Sequence, residues 1–208
     1  MPIYQHFLHQ DAEVAIWKIE EPESFFQEST GLVSFIRTEK RRIEYYAGRY
    51  VLAHMIPGLD LSTIRVDHIG KPYLPDGRYH FSISHSFPYI AVAIHTAQPI
   101  GIDIQVFKPK ILKLSEKFLH QDEYGLIRES VATITLLWCA KEAMFKWRGT
   151  GGQDFSEQLR ILRVHSDERL FEIDCTIIDP DLKNNPLSLL GKIEDDFALA
   201  VGTAPIVL

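Results

Sequence analysis

Hydrophobic and polar residues follow regular spacings along much of the chain, and these spacings predict an α+β fold. Alternating or short apolar runs predict strands over residues 13–19, 64–69, 79–84, 89–96, 101–106, 159–165, 170–177, 188–194 and 197–203. Helical patterns predict long helices over 39–55 and 132–148, and shorter ones over 23–36, 110–119 and 121–129. Pro57-Gly58 and the glycine-rich residues 149–152 end the two long helices.

Two apolar stretches resemble each other although they lie about half the chain apart. Residues 90–100 have the sequence IAVAIHTAQPI and residues 197–206 have FALAVGTAPI, and the two align with a single gap at Gln98. The likeness is either chance between short strands or the trace of an internal duplication. A duplicated chain would consist of two similar α+β halves that pack face to face. We would then expect a ligand cleft at their junction.

Composition and charge limit the class of function. The 208 residues carry 28 acidic and 22 basic side chains, which argues against a general nucleic-acid-binding protein but not against a local basic patch for a small anion. Cys139 and Cys175 cannot make a zinc cluster and do not suggest a disulfide scaffold. No signal peptide is visible at the N-terminus, and no apolar run approaches the roughly 18 residues that span a bilayer. We expect a cytoplasmic protein without a membrane or nucleic-acid partner.

An acidic strand and a mixed polar helix carry the most informative chemistry. Glu142 and Lys146 are one helical turn apart and share a face with neighbouring aromatic residues. On the strand 101–106, Asp103 and Gln105 face the side opposite to two isoleucines. A buried acid is costly unless it is paired or binds a metal. Asp103 is therefore either a capped or edge residue, or part of a hard-cation site with Glu142, completed by waters or phosphate oxygens as is usual for Mg²⁺.

Several basic and hydroxyl-bearing residues suit an anionic ligand. Ser84 and His85 lie at the polar end of a predicted strand, where O–H and N–H donors would suit an anion, although His85 could equally be a turn histidine. The bases that could converge on a polyphosphate are Lys40, Arg41, Arg42, Arg49, Lys71 and Lys146. Neither a P-loop nor a Rossmann motif is present.

A separate basic group follows the acidic strand. Lys110, Lys113 and Lys117 have the spacing of one helix face. This face is either solvated surface or a docking surface for an acidic partner.

Two motifs at a defined separation resemble a known family. GIDIQ at 101–105 and WCAKEAMFK at 138–146 resemble the paired signature of the 4′-phosphopantetheinyl transferases, G-[IV]-D followed by W-x-x-K-E-[AS]-x-x-K. The size, the FSISHS and GKPYLP stretches and the apparent duplication resemble the single-chain, surfactin synthetase activator-like branch. The resemblance implies two halves, 1–98 and 99–208, with pseudo-two-fold symmetry. Each half would be a small antiparallel sheet packed with a long helix.

The resemblance also implies an activity and a set of site residues. Such enzymes transfer the 4′-phosphopantetheine arm of coenzyme A to a serine of an acyl or peptidyl carrier protein and release 3′,5′-ADP. By this similarity the metal ligands for Mg²⁺, or alternatively Mn²⁺, would be Asp103, Glu142 and Gln105. The catalytic residues would be Glu142, Lys146 and Asp103, with Glu142 or a water as the base. Coenzyme A would be bound by Lys40, Arg49, Lys71, Ser84, His85 and Lys146. The protein would act as a monomer.

One residue departs from the family pattern. Gln105 stands where a second acid is expected, so the site has one negative charge fewer and a weaker third ligand. Two rival functions stay open. The departure at Gln105 supports a coenzyme A or nucleotide binder without catalysis, and the same site chemistry would also allow a Mg²⁺-dependent pyrophosphatase-type hydrolase. The sequence does not identify the carrier.

Overall fold

The computed structural model describes residues 4–178 and 184–203. These residues form the strands β1 (Gln5–His9), β2 (Ala12–Lys18), β3 (Arg65–Val66), β4 (Pro72–Tyr73), β5 (His80–Ser86), β6 (Tyr89–His95), β7 (Gly101–Val106), β8 (Leu159–Asp167), β9 (Leu170–Ile178), β10 (Asn184–Ile193) and β11 (Phe197–Thr203). The α-helices are α1 (Glu23–Thr30), α2 (Glu39–Met55) and α3 (Val131–Arg148). No described helix is both long and apolar enough to cross a membrane.

The strands form two larger antiparallel sheets and one short ribbon. The first sheet has the order β1-β2-β6-β5, the second has the order β7-β11-β10-β9-β8, and β3 pairs with β4. Helix α2 packs on β6, β2 and β5, while α3 packs on β7, β11 and β10. The α+β class, with one long helix on each antiparallel sheet, is confirmed.

The two sheets repeat one arrangement of strand, helix and hairpin. In the first, β2 leads to α2 and then to the hairpin β5–β6; in the second, β7 leads to α3 and then to the hairpin β10–β11. Strand β6 pairs with both β2 and β5, and strand β11 pairs in the same way with both β7 and β10. This arrangement supports an internal duplication.

The residue alignment proposed from the sequence is nevertheless out of register. Ile90 packs in the core beneath α2, whereas Phe197, its aligned partner, packs between the sheets. Tyr89 also lies between the sheets, with its ring centroid 4.5 Å from that of Phe197. Because a shift of one residue turns every side chain to the other face of a strand, Tyr89 rather than Ile90 is the structural counterpart of Phe197.

A third core lies between the two sheets. Its buried residues are Ala12, Val14, Ile16, Tyr89, Ala91 and Ala93 from the first half, and Ile100, Ile102, Ile104, Phe197, Leu199 and Val201 from the second. The strands β2, β6, β7 and β11 are thus covered by a helix on one face and by the other sheet on the opposite face. Burial on both faces explains why β6 and β11 are almost continuously apolar.

The edges of the two sheets meet where β5 lies beside β7. Backbone N–H groups of alternate β7 residues donate to serine hydroxyl groups on β5: Ile102 to Ser82 at 3.2 Å, Ile104 to Ser84 at 3.2 Å, and Val106 to Ser86 at 3.0 Å. We call this set the serine ladder. The serine hydroxyl groups satisfy backbone N–H groups of β7, the edge strand of the second sheet, in place of the backbone bonds that a neighbouring strand would make.

Some predicted elements differ from the structure. The helix predicted over 23–36 ends at Thr30 because Gly31 adopts a left-handed conformation with φ of 63° and caps it. The strand predicted over 64–69 is reduced to β3, and the short strands β1 and β4 were not predicted. The strand predicted over 188–194 begins earlier, at Asn184.

The helices predicted after β7 are also wrong in type. The structure has 3₁₀ segments at Pro109–Lys117 and Gln121–Glu123 instead. With three residues per turn, Lys110 and Lys113 stay on one side of the first segment, but Lys117 does not follow them. The predicted basic face therefore does not form as a single stripe of three lysines.

Candidate active site

Asp103 is the buried acid at the centre of the candidate site. It lies on β7 and is only 6% exposed. Its Oδ1 atom accepts hydrogen bonds from Ser84 Oγ at 2.6 Å and from Lys146 Nζ at 2.7 Å. Lys146 Nζ also donates to the carbonyl oxygen of Ile102 at 3.0 Å. The charge of the buried carboxylate is therefore offset by an ammonium group and held by a hydroxyl group.

Helix α3 approaches β7 at backbone distance because residue 101 is glycine. A Cβ atom at Gly101 would lie 1.9 Å from the carbonyl oxygen of Ala143 and 2.8 Å from the amide nitrogen of Trp147. No side chain fits in this space. The close packing explains how Glu142 and Lys146, on a helix, come to face an acid on the strand.

Glu142 is a partly buried carboxylate with a strongly altered pKa. Its pKa is raised from 4.5 to about 7, chiefly by burial and then by the negative charge of Asp103, while the positive charge of Lys146 opposes both effects. The two acids therefore lie close enough to repel each other electrostatically. The sequence pattern predicted this proximity but placed it across the junction of the halves, whereas both acids lie in the second half, on β7 and on the helix that packs against it.

The pair of carboxylates fits a divalent cation. A cation between Asp103 and Glu142 would relieve both the repulsion and the cost of burying their charge. Residues 4–178 and 184–203 contain no group of three or more His, Cys, Asp or Glu side chains placed to hold a metal. With Asp103 and Glu142 as its carboxylate ligands, an octahedral Mg²⁺ site would be completed by waters or ligand phosphate oxygens.

Gln105 is oriented by its own amide nitrogen. Nε2 donates to Ser86 Oγ at 2.9 Å and to the carbonyl oxygen of Val106 at 3.0 Å. A backbone carbonyl can only accept, so the atom that faces it must be the NH₂ group. Both amide hydrogens are committed, and the carbonyl oxygen is the part of Gln105 left to bind a cation or a water. The side chain lines a groove of about 180 Å³ with Lys108, Lys110, Ile111, Leu114, Thr135 and Trp138.

A cleft lies where the two halves meet, beside Lys146. It has a volume of about 230 Å³ and is lined from the first half by Ile69, Gly70, Lys71, Pro72, Phe81, Ser82 and Ile83, and from the second by Phe145, Lys146 and Gly149. A neighbouring cavity of about 330 Å³ shares Lys71 and includes His80 and Trp147. A cleft at the junction was expected from the duplicated organisation, and the structure has one.

Two of the predicted coenzyme A residues are partly buried cations. Lys71 Nζ donates to the carbonyl oxygen of Lys146 near the end of α3, so it bridges the two halves. Arg49 stacks on Tyr45 with its guanidinium carbon 3.6 Å from the ring centroid and donates to the Tyr45 carbonyl oxygen at 3.2 Å. Burial lowers the pKa of both Lys71 and Arg49. A bound anion would offset this loss of solvation.

The other predicted basic residues have separate partners. His85 is exposed, and its Nδ1 lies 3.2 Å from an oxygen of the buried Glu44. Lys40 Nζ is exposed and 5.1 Å from the ring centroid of Phe87.

Arg41 and Arg42 do not join the other bases. Arg41 is exposed. Arg42 makes two bonds to the Glu23 carboxylate on α1, at 2.6 and 2.9 Å. The idea that all six bases converge on one polyphosphate is therefore wrong for Arg42, which joins α1 to α2.

A buried ion pair supports the helix from its other side and was missed in the sequence. Lys141 is fully buried, and its Nζ lies 2.6 Å from Glu123 and 2.8 Å from the carbonyl oxygen of Phe155. Glu123 also accepts the backbone N–H groups of Ile161 at 2.7 Å and His120 at 2.8 Å. The pair thus joins α3 to the 3₁₀ segment and to β8. The sequence signal that could have revealed this pair was Lys141, a lysine among the apolar positions of α3.

The chain is similar to known 4′-phosphopantetheinyl transferases. The family model described as the 4′-phosphopantetheinyl transferase superfamily matches residues 99–201, which include Asp103, Glu142 and Lys146. The 4′-phosphopantetheinyl transferase Sfp of Bacillus subtilis is 34% identical over 147 residues, which cover 60% of this chain and 65% of Sfp.

Two further relatives align over more of the chain. The 4′-phosphopantetheinyl transferase HetI of Nostoc sp. is 28% identical over 90% of this chain and 86% of its own length. The 4′-phosphopantetheinyl transferase ffp of Bacillus subtilis is 30% identical over 69% of this chain and 73% of its own length. From this coverage and the matched motifs, the chain belongs to the 4′-phosphopantetheinyl transferase superfamily.

Proposed function

We propose that the protein transfers the 4′-phosphopantetheine arm of coenzyme A to a serine of an acyl or peptidyl carrier protein, with release of 3′,5′-ADP. The observation that carries this proposal is the placement of Asp103, Glu142 and Lys146 together beside a cleft between the two halves. The names of the relatives support the same chemistry. Charge neutralisation is what such a transfer needs, because the attacked phosphate belongs to a polyanion.

Asp103 and Glu142 would hold Mg²⁺, or Mn²⁺ in its place, and the ion would supply positive charge to the coenzyme A pyrophosphate. Lys146 would contact the same pyrophosphate and is already oriented by Asp103 and the Ile102 carbonyl group. Glu142, with a pKa near 7 in the metal-free protein, could take the proton of the carrier serine directly or through a water. Gln105 would offer its carbonyl oxygen to the ion or to one of its waters.

The nucleotide part of coenzyme A would be bound from the first half. Lys71 and Arg49 are partly buried cations whose positive charge a phosphate would stabilise. His85 and Lys40 would add exposed positive or hydrogen-bonding groups. Ser84, which donates to Asp103, would reach a phosphate only by releasing that bond.

The carrier protein would dock beside Gln105. The groove there is flanked by Lys108 and Lys110 and has an apolar floor that includes Leu114 and Trp138. Exposed lysines around an apolar groove suit an acidic partner with an apolar contact, and they would steer its approach. We infer that this groove, rather than a regular helix face, receives the carrier.

The direct experiment is to incubate the protein with coenzyme A, Mg²⁺ and a panel of apo carrier proteins, and to measure the mass of each carrier. Gain of the phosphopantetheine mass by at least one carrier is the expected result. Asp103→Ala and Glu142→Ala should abolish nearly all transfer, while Asp167→Ala, which removes an exposed acid on β8, should not.

Two other outcomes would redirect the proposal. If no carrier gains mass although coenzyme A binds tightly, the protein is a binder that lacks the transfer step. If phosphopantetheine is released without a carrier, the site is a hydrolase.

A further inference from the structure

We propose that Ser84 is a positioning residue for Asp103: its hydroxyl group fixes the orientation of that carboxylate and ties it to the first sheet. The proposal deepens the proposed function. It rests on that function only in taking Asp103 as a ligand of the metal ion. It assigns the hydroxyl hydrogen of Ser84 to the protein's own carboxylate rather than to a ligand phosphate.

The direction of the hydrogen bonds at Ser84 follows from its neighbours. A backbone N–H can only donate, so Ser84 Oγ accepts from Ile104 at 3.2 Å. An ionised carboxylate can only accept, so the single hydroxyl hydrogen goes to Asp103 Oδ1 at 2.6 Å. Ser84 is only 3% exposed. Its hydroxyl group therefore connects the backbone of β7 to the side chain one residue earlier on that strand.

The two strong donors to Asp103 reach it from different halves of the molecule. Ser84 lies on β5 of the first sheet, and Lys146 lies on α3, which packs on the second sheet. Both donate to Oδ1. On this proposal, the common attachment of both donors to Oδ1 leaves Oδ2 as the oxygen for a cation or ligand. The orientation of the acid thus depends on the contact between β5 and β7.

The serine ladder provides an internal comparison. Ser82 and Ser86 also accept backbone N–H groups of β7, so all three hydroxyl groups serve the junction. Among these three serines, only Ser84 bonds to a carboxylate of the described residues. Ser82→Ala therefore removes one hydrogen bond of the serine ladder and leaves the bond from Ser84 to Asp103 in place. It is the matched control for Ser84→Ala.

The first test is the crystal structure of each variant. In Ser84→Ala the Asp103 carboxylate should leave the orientation that places Oδ1 between residue 84 and Lys146, whereas in Ser82→Ala it should stay. Should the first variant fail to fold, Ser84→Cys keeps the volume but replaces a strong donor with a weak one, and the same displacement is expected. An unchanged Asp103 in a variant without the hydroxyl group would overturn the proposal.

The second test separates positioning from stability. Mn²⁺ affinity, measured by electron paramagnetic resonance without turnover, should weaken about 10- to 100-fold in Ser84→Ala and less than about 3-fold in Ser82→Ala. Carrier loading by Ser84→Ala should fall, with the loss in kcat; because Ser82 lines the cleft, Ser82→Ala serves as the control for Mn²⁺ affinity and for the crystal structure only. Equal losses of Mn²⁺ affinity in the two variants would mean that Ser84 serves the junction alone, and would overturn the proposal.

A failure of the proposed function gives a different pattern. If the wild-type protein loads no carrier, the transferase proposal fails, but displacement of Asp103 in Ser84→Ala still supports the positioning role. The crystal structures thus decide the role of Ser84 independently of activity.

Discussion

Replacing Glu142 by glutamine should stabilise the metal-free protein at neutral and alkaline pH. Burial and the charge of Asp103 raise the pKa of Glu142 from 4.5 to about 7, so the folded protein favours the protonated form. Glutamine has nearly the same shape and never carries the charge. The variant therefore removes an unfavourable buried charge while it keeps the packing on α3.

The sign and size follow from linkage between protonation and folding. Below pH 4.5 Glu142 is protonated in both the folded and the unfolded protein, and it does not lower the stability. Between 4.5 and about 7 the unfolded state releases a proton that the folded state retains, so the stability of the wild-type protein falls as the pH rises, and the loss is complete above about 7. At ~1.4 kcal/mol per pH unit, the cost is about 3 kcal/mol.

Denaturant unfolding followed by tryptophan fluorescence, in buffers containing a chelator from pH 4.5 to 8, measures the effect. The stability of Glu142→Gln relative to wild type should increase with pH and level off above pH 7. Glu129→Gln, at an exposed position before α3, serves as the control and should show no such rise. A Glu142→Gln difference that is constant with pH, or that favours the wild-type protein at pH 8, would refute the reasoning.

Three further predictions concern the structure around the site. Gly101→Ala should destabilise the protein by about 3 kcal/mol or more, because the new methyl group would lie 1.9 Å from the Ala143 carbonyl oxygen; a loss under about 1 kcal/mol in denaturant unfolding would contradict this close approach. Lys141→Met should cost about 3–5 kcal/mol by leaving Glu123 buried without its charge partner, and adding Glu123→Gln should recover part of the loss; a double variant less stable than the single one would argue against the pair. The two cysteines are buried, and burial raises the pKa of both thiols, so neither should react with a disulfide reagent until the protein unfolds; labelling of the native protein would contradict this expectation.

The sequence predicted the elements whose pattern is set by burial on a regular surface. The long helices α2 and α3 and the strands β2, β5, β6, β7 and β11 follow from spacing alone, since each has a face or both faces in a core. The proximity of Asp103 to Glu142 and Lys146 was also foreseen, because the paired motifs place one acid on a strand and the other on the helix that crosses it.

Other features depend on contacts between distant residues and could not be read from local spacing. The bond between Arg42 and Glu23 looks in sequence like any pair of surface charges. The ion pair of Lys141 and Glu123 needs a 3₁₀ segment that the pattern after β7 did not predict.

The misaligned repeat has a similar cause. Alanine-rich strands match at neighbouring registers almost equally well, and only packing shows that Ile90 and Phe197 face opposite sides. A one-residue slip in such sequences leaves the sheet intact and reverses its faces.

The serine ladder has a consequence for self-association of the chain. Outer strands of sheets carry free backbone donors that can recruit strands from other molecules and start aggregation. In this protein β5 and β7 shield each other's edges, and β7 satisfies alternate N–H groups on hydroxyl groups of its own chain. A half expressed without the other would expose such an edge, so the linkage of the two halves in one polypeptide protects against self-association as well as assembling the site.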